Sequence, residues 1–241
     1  MARDMALLRR ARDTDEAVFA VYGWISPTLS LGRNQRAKGC YDLDLMRTAG
    51  VDVVRRPTGG RALLHNREVT YSVTARVETG DSLRDSCNRI NTILLNGLRK
   101  LGVQASVAAP HTRAPRPTDA PCFATPARGE LIAGGRKLVG SAQWREDGAL
   151  LQHGSILIEN DQSMIAMFAR GSTDAAPIPL PATLADTLGR TPTSHEIACA
   201  LFDAVRDRED GDAIPLDESE VRSLSLAELP RFENELWTWR R

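Results

Sequence analysis

The chain has 241 residues, 42% of them hydrophobic and 26% charged, and its 31 lysines and arginines balance 31 aspartates and glutamates. That is enough chain to bury a full core, and a net charge of zero provides no global field to recruit nucleic acid or an anionic membrane. No apolar run approaches the roughly 20 residues needed to span a bilayer, no secretory signal opens the chain, and the four cysteines include no C-x-x-C pair. These features point to a cytoplasmic protein with free thiols, without a metal site or redox dithiol.

In chain order, residues 4–12 read as a helix, 18–22 and 28–31 as short strands, and 42–49 as a short helix. A strand at 51–55 runs into Pro57-Thr58-Gly59-Gly60, and the run 68–77 alternates Val69, Tyr71, Val73, Ala75 and Val77 on one face, as a half-buried strand does. The glycine pair therefore joins two strands. From 82 to 101, Leu83, Cys87, Ile90, Leu94, Leu98 and Leu101 recur at three- and four-residue steps and mark the apolar face of a long helix, which makes Cys87 a core residue. A strand at 103–108 follows. The segment 111–121, with three prolines and two arginines, is expected to be a mobile surface loop leading into Cys122. Three antiparallel strands are expected at 130–132, 137–144 and 149–158, with turns at Gly134-Gly135 and Asp147-Gly148. The remainder is mostly helical with a proline-rich break at 177–181, and Cys199 in it reads as a structural helical thiol. The result is an α/β (α+β) protein, a mixed, largely antiparallel sheet flanked by helices, with no repeat and no linker.

Cys122 stands out because Pro121 and Pro126 flank it and the basic pair Arg136-Lys137 follows. Proline on both sides disfavours a helix or central strand, and a loop thiol beside a cation gains thiolate character, the form that attacks acyl carbon. Cys40, just before a short helix, is the rival nucleophile. Taken alone, Lys137 reads by default as a solvated strand-end lysine, and His65 and His153 as satisfied structural histidines. Gly135-Arg136-Lys137-Leu138-Val139-Gly140-Ser141 lacks the lysine after its second glycine and precedes no helix, so it is not a phosphate loop.

Taken together, four ordered blocks carry a resemblance: Arg55-Arg56-Pro57-Thr58-Gly59-Gly60-Arg61-Ala62-Leu63-Leu64-His65, then Thr70-Tyr71-Ser72, then Gly135 to Gln143, then Leu151-Gln152-His153-Gly154-Ser155. With Tyr22-Gly23-Trp24 and Leu31-Gly32-Arg33-Asn34-Gln35 they resemble the biotin/lipoate protein ligase superfamily over residues 4–160. The Cys122-Phe123 pair ahead of Lys137 is similar to the LipM-type octanoyltransferases. Arg61 stands where the ligases have a third glycine, which agrees with that branch, and the chain opens near Asp4, where the family's usual first strand is expected to be missing. The resemblance implies a catalytic domain over 14–209 with a short helical extension at 210–241. It implies transfer of an octanoyl group from acyl carrier protein, through a Cys122 thioester, to a lysine of the glycine-cleavage H protein or another lipoyl domain, with no cofactor. Cys122 and Lys137 would be catalytic, with Lys137 lowering the thiol pKa. Lys137 is also the first candidate to take the incoming amine's proton, and His153 the second. Arg56, Gly59, Gly60, Arg61, Ala62, Leu63, Leu64, His65, Gly140, Ser141 and His153 would bind substrate. An ATP-dependent lipoate ligase and a lipoyl-domain amidotransferase are the alternative activities. Arg55, Arg56, Arg61, Arg136 and Arg145 can form a positive rim for acidic protein partners, and the chain is expected to be monomeric.

Overall fold

The amphipathic helices and alternating strands assemble in a computed structural model that describes residues 1–77, 80, 82–109, 123, 126–127, 129–170 and 179–241. In chain order these form α1 (Ala2–Thr14), β1 (Val18–Tyr22), β2 (Thr28–Leu31), α2 (Leu43–Thr48), β3 (Asp52–Arg55), β4 (Leu63–His65), β5 (Glu68–Arg76), α3 (Leu83–Lys100) and β6 (Ala105–Val107). There follow β7 (Leu131–Ala133), β8 (Arg136–Glu146), β9 (Ala149–Leu157), α4 (Met164–Phe168), α5 (Leu184–Leu188), α6 (Ser194–Arg208), α7 (Glu218–Leu226), α8 (Leu229–Glu233) and α9 (Glu235–Thr238). No helix among the described residues is long and apolar enough to cross a membrane.

The six-stranded sheet runs β1-β5-β9-β8-β7-β6, antiparallel throughout. A second sheet, β3-β2-β4, pairs β2 parallel to β3 and antiparallel to β4. The expected largely antiparallel sheet is thus present, with its parallel element confined to the small partner sheet.

The alternation on β5 has the expected outcome on one face. Val69 and Tyr71 are fully buried and pack with Ile90, Leu94 and Leu98 of α3 and Ile197 and Leu201 of α6. Gly97 lets these helices meet, since a Cβ there would stand 2.7 Å from Leu201 Cδ2. Ser82 and Asp85 close a capping box at the start of α3, satisfying backbone N–H groups that no helical carbonyl reaches. The buried stripe begins only at Ile90: Leu83 is 49% exposed and Cys87 half-buried, so Cys87 is not the core residue the spacing suggested. Cys199 is exposed as well, because α6 buries Ile197, Ala200, Leu201 and Ala204 and turns the thiol off that face.

The opposite face of β5 carries Glu68, Thr70, Ser72 and Thr74, all buried. Glu68 and Thr70 bond to each other and to His65 of the small sheet, and the Trp24 indole donates to Thr70, whereas Ser72 Oγ and Thr74 Oγ1 have no hydrogen-bond partner among the described residues. Residues 210–241 lie against the same side: Val221 packs with Leu7 and Ala20, and Phe232 with Met5 and Leu8.

Within the small sheet, the end of β2 and the turn after β3 meet in one close backbone approach. A Cβ on Gly32 would fall 1.9 Å from the carbonyl oxygen of Gly60, which has φ +98°. Neither backbone can yield, because Gly60 sits in a turn held by the Arg56 side chain. Gly32→Ala should therefore lower stability by about 1–3 kcal/mol, the usual cost of overpacking, and shift the urea midpoint with an unchanged slope. An unchanged midpoint would show that the contact is slack.

Candidate active site

Between the polar face of the large sheet and the turn after β3 lies a cavity of about 170 Å³, mostly apolar in lining. Arg56, Gly60, Arg61, Leu63 and His65 wall it from the small-sheet side, and Gly140, Ser141, Ala142, His153, Gly154 and Ser155 from β8 and β9, with Met1, Thr70, Ala127 and Glu130 completing it. The sequence blocks around Gly60, Gly140 and His153 therefore converge. Gly59, Ala62 and Leu64, from the same block, lie elsewhere: Ala62 and Leu64 fill the core under the small sheet, and Gly59 gives its carbonyl to Arg56.

Lys137 reaches this place through an irregularity of its strand. Ile132 pairs with Lys137 but Leu131 pairs with Val139, so Leu138 is an extra residue that breaks the alternation. The Lys137 side chain is only 1% exposed, and its Nζ lies 2.6 Å from Glu130 Oε1 and 5.0 Å from the centroid of the Phe123 ring. Removing one member of such a buried pair typically costs about 3–5 kcal/mol. Gly140 leaves the room: a Cβ there would stand 3.1 Å from Lys137 Cε and 3.2 Å from Phe123 Cζ. Phe123 is buried against Leu63 and Leu157. It follows directly in the chain from Cys122, which lies outside the described residues, as does the expected loop at 111–121. Cys40, the rival nucleophile, is exposed, with its Sγ against the carbonyls of Arg36 and Lys38 at 3.9 Å.

Two histidine–carboxylate pairs sit on the polar face. His153 directs Nδ1 to Asp4 Oδ2 at 2.9 Å and Nε2 to Thr58 Oγ1 at 2.7 Å, while the Tyr22 hydroxyl donates to both Asp4 oxygens at 2.9 and 3.0 Å. Burial holds His153 below its ordinary value against the pull of Asp4, so the imidazole is neutral, donates from Nδ1 and accepts the Thr58 hydroxyl at Nε2. Burial alone would raise the Asp4 carboxyl; the amino-terminal charge, His153 and Tyr22 together hold it below the usual carboxylate range. His65 bridges Glu68 at 3.1 Å and Ser30 Oγ at 2.8 Å, under a stacked Trp24 ring whose centroid is 4.2 Å away.

The expected arginine rim does not form. Arg55 is fully buried, donating to the carbonyls of Gly32, Gln35 and Thr238, and Arg56 donates to Ser30, Gly59 and Arg61. Both act as struts under the turn rather than as surface charge. Arg61 is buried too, and Arg136 lies near Asp186 at 3.7 Å. A cationic cluster lies elsewhere: half-buried Arg33 stacks on Trp144, and Trp237 lies between half-buried Arg231 and exposed Arg240, at 3.8, 4.2 and 4.1 Å to the ring centroids.

Sequence reasoning missed Glu130, Asp4 and Trp24 as site residues. For Asp4 a signal existed, since it shares the apolar face of α1 with Leu8 and Ala11, where an acid requires a buried partner. Glu130 carried no such mark.

The family model for the lipoyl protein ligase A/B catalytic domain matches residues 1–206. A protein of Kyrpidia tusciae named octanoyltransferase LipM is 39% identical over 206 residues, 82% of this chain and 72% of that one. Among solved structures, lipoate-protein ligase A bound with ATP superposes with TM-score 0.78 at 22% identity, covering 99% of this chain and 92% of the other. A bipartite lipoate protein ligase of Thermoplasma acidophilum superposes with TM-score 0.75 at 22% identity, covering 99% and 89%. At that identity the likeness shows the fold.

The neutral His153 gives the fold a pH signature. The unfolded chain regains an ordinary histidine value of about 6.5, whereas the folded value is lower. Stability from this group is thus complete above about pH 6.5 and is lost as pH falls toward the folded value, where the unfolded state takes up a proton that the folded state refuses. Denaturation midpoints followed from about pH 7.5 to about pH 5 should show that decline, and His153→Gln should flatten it. A decline of the same size in the variant would mean that the buried imidazole is not neutral.

Proposed function

Because this acyltransferase belongs to the lipoyl protein ligase A/B catalytic domain family, we propose that it moves an octanoyl group from octanoyl acyl carrier protein to a lysine of the glycine-cleavage H protein or another lipoyl domain, in the cytoplasm, through a thioester on Cys122. The observation that carries this reading is the packing of Phe123, next in the chain to Cys122, against the buried ammonium of Lys137 at the edge of a largely apolar cavity.

In the first transfer, the Cys122 thiolate attacks the carrier's thioester carbon. A new C–S bond forms, the old one breaks, and the leaving thiolate takes up the proton lost by Cys122. One thioester replaces another of nearly equal energy, so the step needs no nucleotide. In the second, a lysine amine attacks the acyl-enzyme, a C–N bond forms, and the C–S electron pair returns to Cys122. A lysine with pKa near 10.4 is neutral in only about one molecule in a thousand at pH 7, so a group in the site must accept its proton. An ammonium offers three donors and no lone pair. In its paired state, Lys137 is therefore suited to stabilise anions, first the thiolate and then the tetrahedral oxyanion, and the neutral His153, whose Nε2 accepts the Thr58 hydroxyl, is the candidate to take the amine's proton through that hydroxyl.

Intact mass spectrometry after mixing the protein with octanoyl acyl carrier protein, with no nucleotide present, should show one octanoyl increment that maps to Cys122. Cys122→Ala should abolish the increment and reduce amide formation by about a thousandfold or more. An increment on Cys40, or amide formation that requires ATP and survives Cys122→Ala, would replace this reading with the ligase one.

A further inference from the structure

We infer that Glu130 is a positioning residue for the acyl transfer, and that its carboxylate sets how much of the Lys137 charge the nucleophilic thiol experiences. This inference rests on the proposed function, which makes Cys122 that thiol. Glu130 does more than neutralise a lysine. One carboxylate oxygen holds Lys137 Nζ at 2.6 Å while the other accepts the backbone N–H of Ala127 at 2.7 Å, and the Glu130 N–H returns a bond to the Ala127 carbonyl at 3.1 Å. A single side chain therefore ties the catalytic ammonium to the segment that follows Cys122. The turn is anchored in its own right, since Asn91 of α3 donates to the Gly129 carbonyl at 2.7 Å. Both Ala127 and Glu130 line the cavity.

A full positive charge beside a thiol lowers its pKa strongly; an ammonium with a carboxylate 2.6 Å away is a dipole, and its pull on a third group is weaker. That moderation suits the chemistry. Thiolate nucleophilicity falls as thiol pKa falls, and the fastest attacking thiol is one whose pKa lies near ambient pH. Glu130 holds Cys122 near that optimum by cancelling part of the Lys137 field. The other titratable groups beside Glu130 do not compete for this role. The Cys87 thiol on α3 is pushed up by burial and then by Glu130, and the Tyr71 hydroxyl on β5 is likewise pushed up by burial, so both are neutral near pH 7. On the far wall His153 is also neutral.

The test is the pH dependence of Cys122 alkylation by iodoacetamide, read peptide by peptide so that exposed Cys40 and Cys199 serve as internal controls. Glu130→Gln should move the Cys122 midpoint down by on the order of one pH unit, leaving both controls in place. Glu130→Asp keeps the charge and should hold the midpoint close to the parent value. Should the glutamine variant not fold, Glu130→Met removes the charge at similar volume and carries the same expectation. A midpoint that stays put or rises in Glu130→Gln, or an equal shift in Glu130→Asp, overturns the inference and leaves the carboxylate a structural tie. Lys137→Met separates this from the larger reading: its midpoint should rise, and if it does not, the coupling between Lys137 and Cys122 fails and the role of Glu130 falls with it.

Discussion

The cavity exists because a guanidinium is buried beneath the turn that walls it. Arg56 directs Nε and Nη2 to the Gly59 carbonyl, Nη2 also to that of Arg61, and Nη1 to the carbonyl and hydroxyl of Ser30. Removing a cation from water is costly, and only a dense set of acceptors offsets it. The backbone of residues 59–61 supplies those acceptors by curling around the side chain, which is why Gly60 takes a positive φ and why Gly32 must have no Cβ. Substitution of Arg56 would thus affect the cavity through its wall, whether or not the guanidinium also touches a ligand.

A second constraint follows from burying both faces of β5. The face toward α3 and α6 is apolar and requires only shape, whereas the face toward α1 and the small sheet is polar and requires a partner for each group. Glu68 and Thr70 find theirs in His65 and Trp24, Ser72 and Thr74 lack one among the described residues, and beside them Asp4, Tyr22, His153 and Thr58 form one connected chain spanning α1, β1, β9 and the turn. Small side chains and glycines then leave an apolar hollow inside a polar frame.

Much of this could be read in the residues. Alternation gave β5 and its core face, periodicity gave α3 from Ile90 onward, and the joint order of the Gly60, Gly140 and His153 blocks marked the cavity walls. The failures share a physical cause. Leu63–His65 is three residues long and buried throughout, so no period reveals it as a strand, although it closes the small sheet. The arginines near the turn were read as surface because charge is normally solvated; nothing in a string of residues shows that backbone carbonyls will enclose Arg55 and Arg56. The β-bulge that turns Lys137 toward Phe123 is likewise a property of strand register, which one sequence leaves undetermined.

The fold does not choose the reaction. Structures that superpose on nearly the whole chain at 22% identity include a lipoate-protein ligase with bound ATP, and at that identity the likeness is one of fold, not of chemistry. What decides is how the acyl group arrives. A free acid must be activated, and an adenylate is the usual means. A thioester arrives activated, so the enzyme needs only a nucleophile to accept it, a charge to stabilise that nucleophile and the oxyanion, and a base for the incoming amine. The proposed function assigns this chain to that second case. On that proposal, the ammonium tethered by Glu130 is the charge and the neutral imidazole fixed by Asp4 is the base.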